Sequence, residues 1–361
     1  MAVIHKLAIS QFRNFEQQLI QPSTGINLFI GDNAQGKTNL IEAIYYLGHN
    51  RSFKTKTIKE VIHHDFSRFQ IEAYVDDHKI KLEKSKQQTS IAIDGVVLKN
   101  TAELSKKIPI QIITPDRGFL VSGSPKNKRS YLDWGVFHVE PAFATHYKNY
   151  RKALKSINVL LHKNQTEALD IWFLELAKFS VLINQARIDY LNKLQQIQTT
   201  QALEHLDVLS DWVEDFSYRF VSGWPKEVDC LSVDSIVNYL NNNKTTWLKN
   251  KHLSYGIHKA SIEFYLKDRD EHYFSRGEQK TLSIIFWLTQ VLLLLQSGVQ
   301  PIVLIDDIAS ELDQKKIQII LDYLQQLGVQ TFITNIDKNI VIQHDKNSSI
   351  FYLDNGLITS A

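Results

Sequence analysis

The stretch "GDNAQGKT", Gly31 to Thr38, has the residue types and spacing that hold a nucleoside triphosphate. It meets G-x-x-x-x-G-K-[ST] at every fixed position, between an apolar run and an amphipathic one. Gly31 and Gly36 let the backbone wrap tightly, so the N–H groups of Asp32, Asn33, Ala34 and Gln35 turn inward toward phosphate oxygens. Lys37 places a cation on the β- and γ-phosphates, and Thr38 offers its hydroxyl to Mg²⁺. Asn39 completes the candidate ATP-binding set. A second stretch, "IVLIDDIASELD", supplies the acidic partner, since apolar Ile302 to Ile305 run into Asp306 and Asp307. Two adjacent carboxylates at the end of a buried strand repel each other and lose hydration unless a cation is near. Asp306 is therefore assigned to Mg²⁺, directly or through water, and Asp307 to polarising an attacking water. Lys37 and Asp307 are the candidate catalytic groups.

A third stretch, "SRGE" at 275–278, allows two readings. Ser275 and Glu278 have the spacing of a capping box at a helix start. Alternatively Ser275, Gly277 and the helix dipole form an anion site. On that reading it serves the nucleotide of a second subunit.

These groups need strands and helices to hold them. "IHKLAISQFRNF" and "GINLFIG" read as strands, and "TNLIEAIYYLG" as a helix with Gly48 at its C-terminal cap. Residues 69–98 read as an antiparallel meander with a turn at Asp94-Gly95. From 134 to 250 apolar residues recur at three- and four-residue steps without a sustained heptad, which predicts a compact helical arm. Beyond it come a strand in "KASIEFYL", a helix over 279–296, the strand "PIVLI", a helix near 314–327, the strand "VQTFITN" and a hairpin turning at Asn355-Gly356. Lys37 and Asp306 lie at opposite ends of the chain. The expected fold is thus α/β: a nucleotide-binding head split into 1–133 (phosphate loop, β-rich lobe) and 251–361, with an inserted helical arm at 134–250.

Bulk properties set limits. With 361 residues the chain can form two domains, and 43% hydrophobic with 22% charged residues is globular composition. Its 41 basic and 39 acidic residues nearly cancel, so any nucleic acid must be held by a local patch. The single Cys230 excludes an internal disulfide and fits a reducing compartment. The uncharged run 282–305 contains Ser297, Gly298 and Pro301, which split it into a buried helix and a strand rather than a membrane span. A cytoplasmic protein is expected. Among thirteen histidines only His63-His64 are adjacent, with no cysteine or spaced carboxylate to complete a zinc set, so no metal beyond Mg²⁺ is expected.

The phosphate loop, "SRGEQ", "LIDD" and "ASELD" together resemble the ATP-binding-cassette ATPases of the SMC, Rad50 and RecF type. "LAISQFRNF", "YYLGHNRSFK", "GSPKNKRSYLDWGVFHVEP" and "IDDIASELD" resemble the RecF branch in particular. The resemblance runs from about residue 4 to 337 and is thin inside the arm. It implies that Ser275 and Gly277 are signature contacts to ATP across an ATP-dependent homodimer. Ser310 and Asp313 would then be D-loop residues at the same interface, with Asp116 near the Q-loop position. Thr334 and Asn335 stand where transporter ATPases carry a switch histidine, which counts against a transporter. Three departures stand out: Ala34 and Glu278 replace a more usual glycine and glutamine, and His258-Lys259-Ala260 stands where the family has His-Arg-Asp.

The same resemblance implies a slow, DNA-stimulated ATPase of DNA replication, recombination, repair and the SOS response. It would clamp double-stranded DNA near single-stranded gaps and junctions, release it on hydrolysis and support recombinase loading with RecR and RecO. The candidate DNA patch is Arg51, Lys54, Lys56 and Lys59, joined by Lys126, Lys128 and Arg129; such cations suit sequence-independent phosphate contacts. Alternatives are another SMC/Rad50-like repair ATPase or a small-molecule kinase sharing the phosphate loop. A kinase has no use for "SRGE" with "ASELD".

Overall fold

The computed structural model describes residues 2–113, 120–199, 215–307, 312–335 and 347–360. In chain order the strands are β1 (Ile4–Phe12), β2 (Phe15–Ile20), β3 (Ile26–Ile30), β4 (Arg68–Val75), β5 (His78–Ser85), β6 (Thr89–Ile93), β7 (Val96–Val97), β8 (Ile110–Ile113), β9 (Phe216–Val221), β10 (Ser261–Leu266), β11 (Arg269–Asp270), β12 (Ile302–Ile305), β13 (Thr331–Asn335), β14 (Ser349–Asp354) and β15 (Leu357–Ser360). The helices are α1 (Lys37–His49), α2 (Thr101–Lys107), α3 (Pro125–Val139), α4 (Phe143–His162), α5 (Leu169–Thr199), α6 (Val233–Asn242), α7 (Lys244–Asn250), α8 (Arg276–Gln296) and α9 (Gln314–Gln326). The chain divides into two compact units. The first is built on Met1–Gly118 and Leu294–Ala361, the second on Phe119–Glu204 and Ser210–Leu293. The boundaries read from the sequence, at 133/134 and 250/251, both fall inside the second unit.

The first unit holds two six-stranded sheets. One is antiparallel, in the order β2-β1-β4-β5-β6-β7. Its strands alternate buried and accessible residues, as in β4, because one face packs inward and the other does not. The meander turns at Asp94 and Gly95, both at positive φ, as read from the sequence. The other sheet has the order β15-β14-β3-β13-β12-β8, parallel from β14 to β8, with β15 antiparallel at the edge. β3, β12 and β13 are buried at every position, the continuous burial that a sheet covered on both faces requires. One core cluster joins both sheets to α1. Gly48 is not the cap of α1, which ends on Asn50 at φ 49. Gly48 lies inside the helix, where a Cβ would meet the Ile108 carbonyl at 2.7 Å.

The second unit contains α3 to α7, most of α8 and the sheet β11-β10-β9 around its own core. Phe264 of β10 meets Phe286 of α8 edge to face, with centroids 5.1 Å apart. Fully buried Arg187 is satisfied by Asp133, at 2.9 Å from Nε, and by the Ile257 carbonyl at 3.0 Å. The stretch expected to be a helical arm includes the strand β9, whose "FSYRFV" alternates with period two and pairs with β10. Among the described residues no helix is long and apolar enough to cross a membrane.

Candidate nucleotide-binding site

Parallel strands leave their C-terminal ends free to present ligand-binding loops, and three adjacent strands do so here. β3 runs into the loop Gly31–Gly36 and then α1, β12 ends on Asp306, and β13 lies between them ending on Thr334 and Asn335. Asp306 is 4% exposed. Its Oδ1 accepts from Thr38 Oγ1 at 3.1 Å and from Thr334 Oγ1 at 2.7 Å. Burial pushes the Asp306 carboxyl above its ordinary pKa, and repulsion from Asp307 adds to this. The two threonine hydroxyls and the Lys54 cation pull it back down. Asp307 follows at φ 51, and its N–H donates to Thr334 Oγ1 at 2.8 Å. Lys37 Nζ folds back onto the carbonyls of Gly31, at 2.5 Å, and Asp32, at 2.8 Å. Burial lowers its pKa, while Asp307, Asp306 and Asp32 act to raise it. A hydroxyl and a buried carboxylate 3.1 Å apart are hard oxygen donors suited to Mg²⁺, so this pair fits the ion.

The loop is braced by two distant segments whose docking sequence reasoning did not assign. Asn14, in the turn after β1, donates to the Gln35 carbonyl at 3.3 Å and accepts from Asn39 at 2.8 Å. Gly36 sits at φ 110, and a Cβ there would meet Asn14 Nδ2 at 2.6 Å. The terminal hairpin docks beside Asn14: Asn355 N donates to Gln35 Oε1, and Gly356 N to the same Gln35 carbonyl at 3.2 Å. Gly31 packs on this hairpin, since a Cβ would meet the Leu353 carbonyl at 2.6 Å. Arg13 anchors α1 by a two-pronged ion pair with fully buried Glu42, both contacts at 2.8 Å. The Asn-Gly turn was legible in the sequence, but nothing local said where it docks.

Ser275 and Glu278 form a capping box. Glu278 Oε2 accepts from Ser275 N at 2.6 Å, and Ser275 Oγ accepts from Glu278 N at 3.2 Å. Arg269 of β11 donates to the other Glu278 oxygen at 2.8 Å. Burial works against the Glu278 charge, but the Ser275 bonds and Arg269 outweigh it and hold the carboxyl below its ordinary pKa. The glutamate that replaces the usual glutamine is thus charge-paired. Gly277 is exposed, with nothing within 4 Å of where its Cβ would stand. Asp313 caps α9 by accepting from Lys316 N at 2.9 Å. Asp116 and Ser310 lie outside the described residues.

The candidate DNA cations separate into two groups. Arg51, Lys54, Lys56 and Lys59 are exposed in the first unit, and Lys126 is exposed in the second. Lys128 must be removed from the patch: it is 2% exposed, ion-paired with Glu271 and 5.0 Å from the Phe264 ring centre. Arg129 is half-buried and donates to the carbonyls of Ala260 at 2.7 Å and Pro125 at 3.3 Å. Where the family segment has an acid, Ala260 thus offers Arg129 its backbone. His63 and His64 do have a carboxylate beside them, contrary to the sequence reading, with Asp65 3.1 Å from His64. Lys59 and Lys86 line the same cavity against one carboxylate, Glu60, and this balance opposes a dication there; Arg13, also in the lining, is paired with Glu42.

With this geometry established, comparison with known proteins gives a consistent result. Residues 3–359 match the RecF/RecN/SMC N terminal domain. The chain is 34% identical to the DNA replication and repair protein RecF of Aliivibrio salmonicida, over 98% of this chain and 99% of that one. It is 31% identical to the protein of the same name from Shewanella baltica, over 98% of each. Its structure is similar to that of the recombination mediator protein RecF-ATP in the RecFOR pathway, with a TM-score of 0.87, 27% identity and coverage of 100% and 98%. An Smc head domain from Pyrococcus furiosus, at 15% identity, shares the fold with a TM-score of 0.59 and coverage of 100% and 96%. The fold is the α/β architecture of these ATPase heads.

Proposed function

This chain belongs to the RecF/RecN/SMC family, within its RecF group, and on that premise we propose that it is an ATP-dependent DNA-binding protein of recombinational repair and replication restart. The observation that carries this reading is the joining of Thr38, Asp306 and Thr334 at the mouth of a braced phosphate loop. The loop N–H groups and Lys37 hold the triphosphate, with Lys37 moving from its own loop carbonyls to the β- and γ-phosphates. The cavity lined by Asn14, Asn39, His63 and Phe66 takes the nucleoside. Mg²⁺, when bound, supplies positive charge to the phosphate oxygens, and Thr38 and Asp306 are the residues that would hold it. Asp307 orients the attacking water and accepts its proton as the new oxygen–phosphorus bond forms and the β–γ bridge bond breaks. ADP and phosphate leave.

Two copies pair on ATP, each offering Ser275 and Gly277 to the other's γ-phosphate, with Ser310 and Asp313 at the interface. Gly277 supports this, because glycine is the weakest helix former after proline and no neighbour within the described residues requires it. The head, at 1–133 and 251–361, closes on duplex DNA beside single-stranded gaps in the cytoplasm, and DNA-stimulated, slow hydrolysis reopens it. Recombinase loading would follow with RecR and RecO as partners. ATP favours the dimer because only the dimer uses both faces of each nucleotide.

The test is sedimentation of Asp307→Asn, which should bind ATP but hydrolyse it poorly, with and without Mg·ATP. A monomer that dimerises only with ATP is expected. A monomer in both conditions, with ATP binding confirmed, reduces "SRGE" to its capping box and overturns the paired mechanism.

A further inference from the structure

The second unit carries a concentration of unneutralised charge that the site above does not use. Between Phe143 and His162, α4 contains no aspartate or glutamate. Its buried side, including Tyr150, Ala153, Ile157 and Leu161, packs into the second core, and Tyr150 is pinned 2.8 Å from His258 Nδ1. That docking fixes which face turns outward. Lys148, Arg151, Lys152, Lys155, Val159 and His162 follow at helical spacing, and all are exposed. Lys163 and Lys251 extend the face, and the groove along it measures about 910 Å³ with no acidic residue in its lining.

Several surface cations elsewhere in this unit have partners: Lys178 with Glu175, Arg219 with Glu263, Lys244 with Asp170 and Lys267 with Asp215. Lys148, Arg151, Lys152, Lys155 and Lys163 form no ion pair among the described residues. Lys251 donates to Asn164, a neutral partner that leaves its charge uncompensated. In a chain of net charge +2 this is a local arrangement rather than a by-product of a basic protein.

The shape and chemistry of the face choose among partners. From Lys148 to Lys163 it runs about 22 Å at ~1.5 Å per residue, too long for one small anion. It covers roughly six base-pair steps of duplex, which carries one charge per ~1.7 Å of axis. Apart from the His162 imidazole at its end, its exposed positions include no aromatic ring, and no Phe, Tyr or Trp on which unpaired bases could stack or a protein partner could anchor. A row of lysine and arginine on phosphates reads charge and not sequence. We infer that the exposed face of α4 is a second DNA-contact surface, which binds the phosphate backbone of duplex DNA independently of sequence. The inference rests on the DNA-binding reading above and adds the arm to it.

The test compares full-length wild type with Arg151→Glu/Lys152→Glu/Lys155→Glu in binding labelled duplex DNA with Mg·ATP across a salt series. Losing three phosphate contacts should lower affinity at least tenfold near ~0.1 M salt and flatten the slope of log K against log salt by about 2 to 3. The ATP-driven change in mass and the thermal midpoint should stay as in wild type. A glutamine triple variant at the same positions should lose less, which separates loss of contact from repulsion. Wild-type affinity and salt slope in the glutamate variant overturn the inference and point to an acidic protein partner instead. Absence of duplex binding by wild type itself overturns the DNA reading, and the arm assignment with it.

Discussion

Thr334 Oγ1 donates to Asp306 Oδ1 at 2.7 Å while accepting the Asp307 N–H at 2.8 Å, so one hydroxyl fixes both acidic residues of the site. The hydroxyl is fully buried, on a strand between the one that carries the phosphate loop and the one that ends in the acids. Thr334→Val keeps the shape and removes both bonds, leaving the Asp307 N–H unsatisfied. The expected stability loss is about 1–3 kcal/mol, with a tenfold or greater fall in kcat for ATP hydrolysis. Thr334→Ser should retain most of both. Denaturant melts and steady-state ATPase assays on the two variants decide the matter.

The phosphate loop contains two positive-φ residues with opposite tolerance. Ala34 sits at φ 67, where an L-residue costs about 1–2 kcal/mol and glycine does not. Ala34→Gly also loosens the unfolded chain by about 0.4–1 kcal/mol, so stability should stay within about 1 kcal/mol of wild type. Gly36→Ala combines φ 110 with a Cβ 2.6 Å from an Asn14 side chain already held by Asn39. It should abolish nucleotide binding measured by titration calorimetry. Loss of binding in Ala34→Gly would show that the alanine is needed for more than its backbone angle.

Arg269 holds the Glu278 charge beside the helix start where the partner's phosphate is proposed to dock. Both side chains are accessible, so the pair is worth only about 0.5–1 kcal/mol. Arg269→Ala should therefore weaken ATP-driven dimerisation roughly two- to fivefold in analytical sedimentation. Adding Glu278→Gln should restore it. Equal weakening in the single and double variants would mean that Arg269 acts through the β11 hairpin alone.

Acid should destabilise the second unit through His258. Burial holds its pKa down at about 4, helped by Lys259, Arg129 and His252, and the Tyr150 hydroxyl lies 2.8 Å from Nδ1. In the unfolded chain the same ring titrates near ~6.5, so between those values the unfolded state binds more protons. Stability is therefore full above about pH 6.5 and falls as pH drops toward 4. The ring is partly accessible, so the loss is on the order of 1–3 kcal/mol after solvent screening. Thermal melts should show a shallower acid limb for His258→Gln; an unchanged limb would assign the loss to other groups.

Local chemistry was legible in the amino-acid sequence. The Gly-Lys-Thr spacing, the apolar run before Asp306-Asp307, the period-two meander and the capping pair Ser275/Glu278 each depend on neighbours a few residues away, and each appears in the structure. Tertiary structure alone decided which distant segments meet. It set β13 between β3 and β12, so that Thr334, read from the sequence only as standing where transporters carry a histidine, donates its hydroxyl to Asp306. It folded Asn14 and the Asn355-Gly356 turn onto the phosphate loop from opposite ends of the chain. Lys126, Lys128 and Arg129 look alike as a basic run, yet burial beside Glu271 removed Lys128 from the surface. Periodicity records which face a residue takes, whereas strand order and the partner across a buried contact come from long-range pairing that short spacings do not encode.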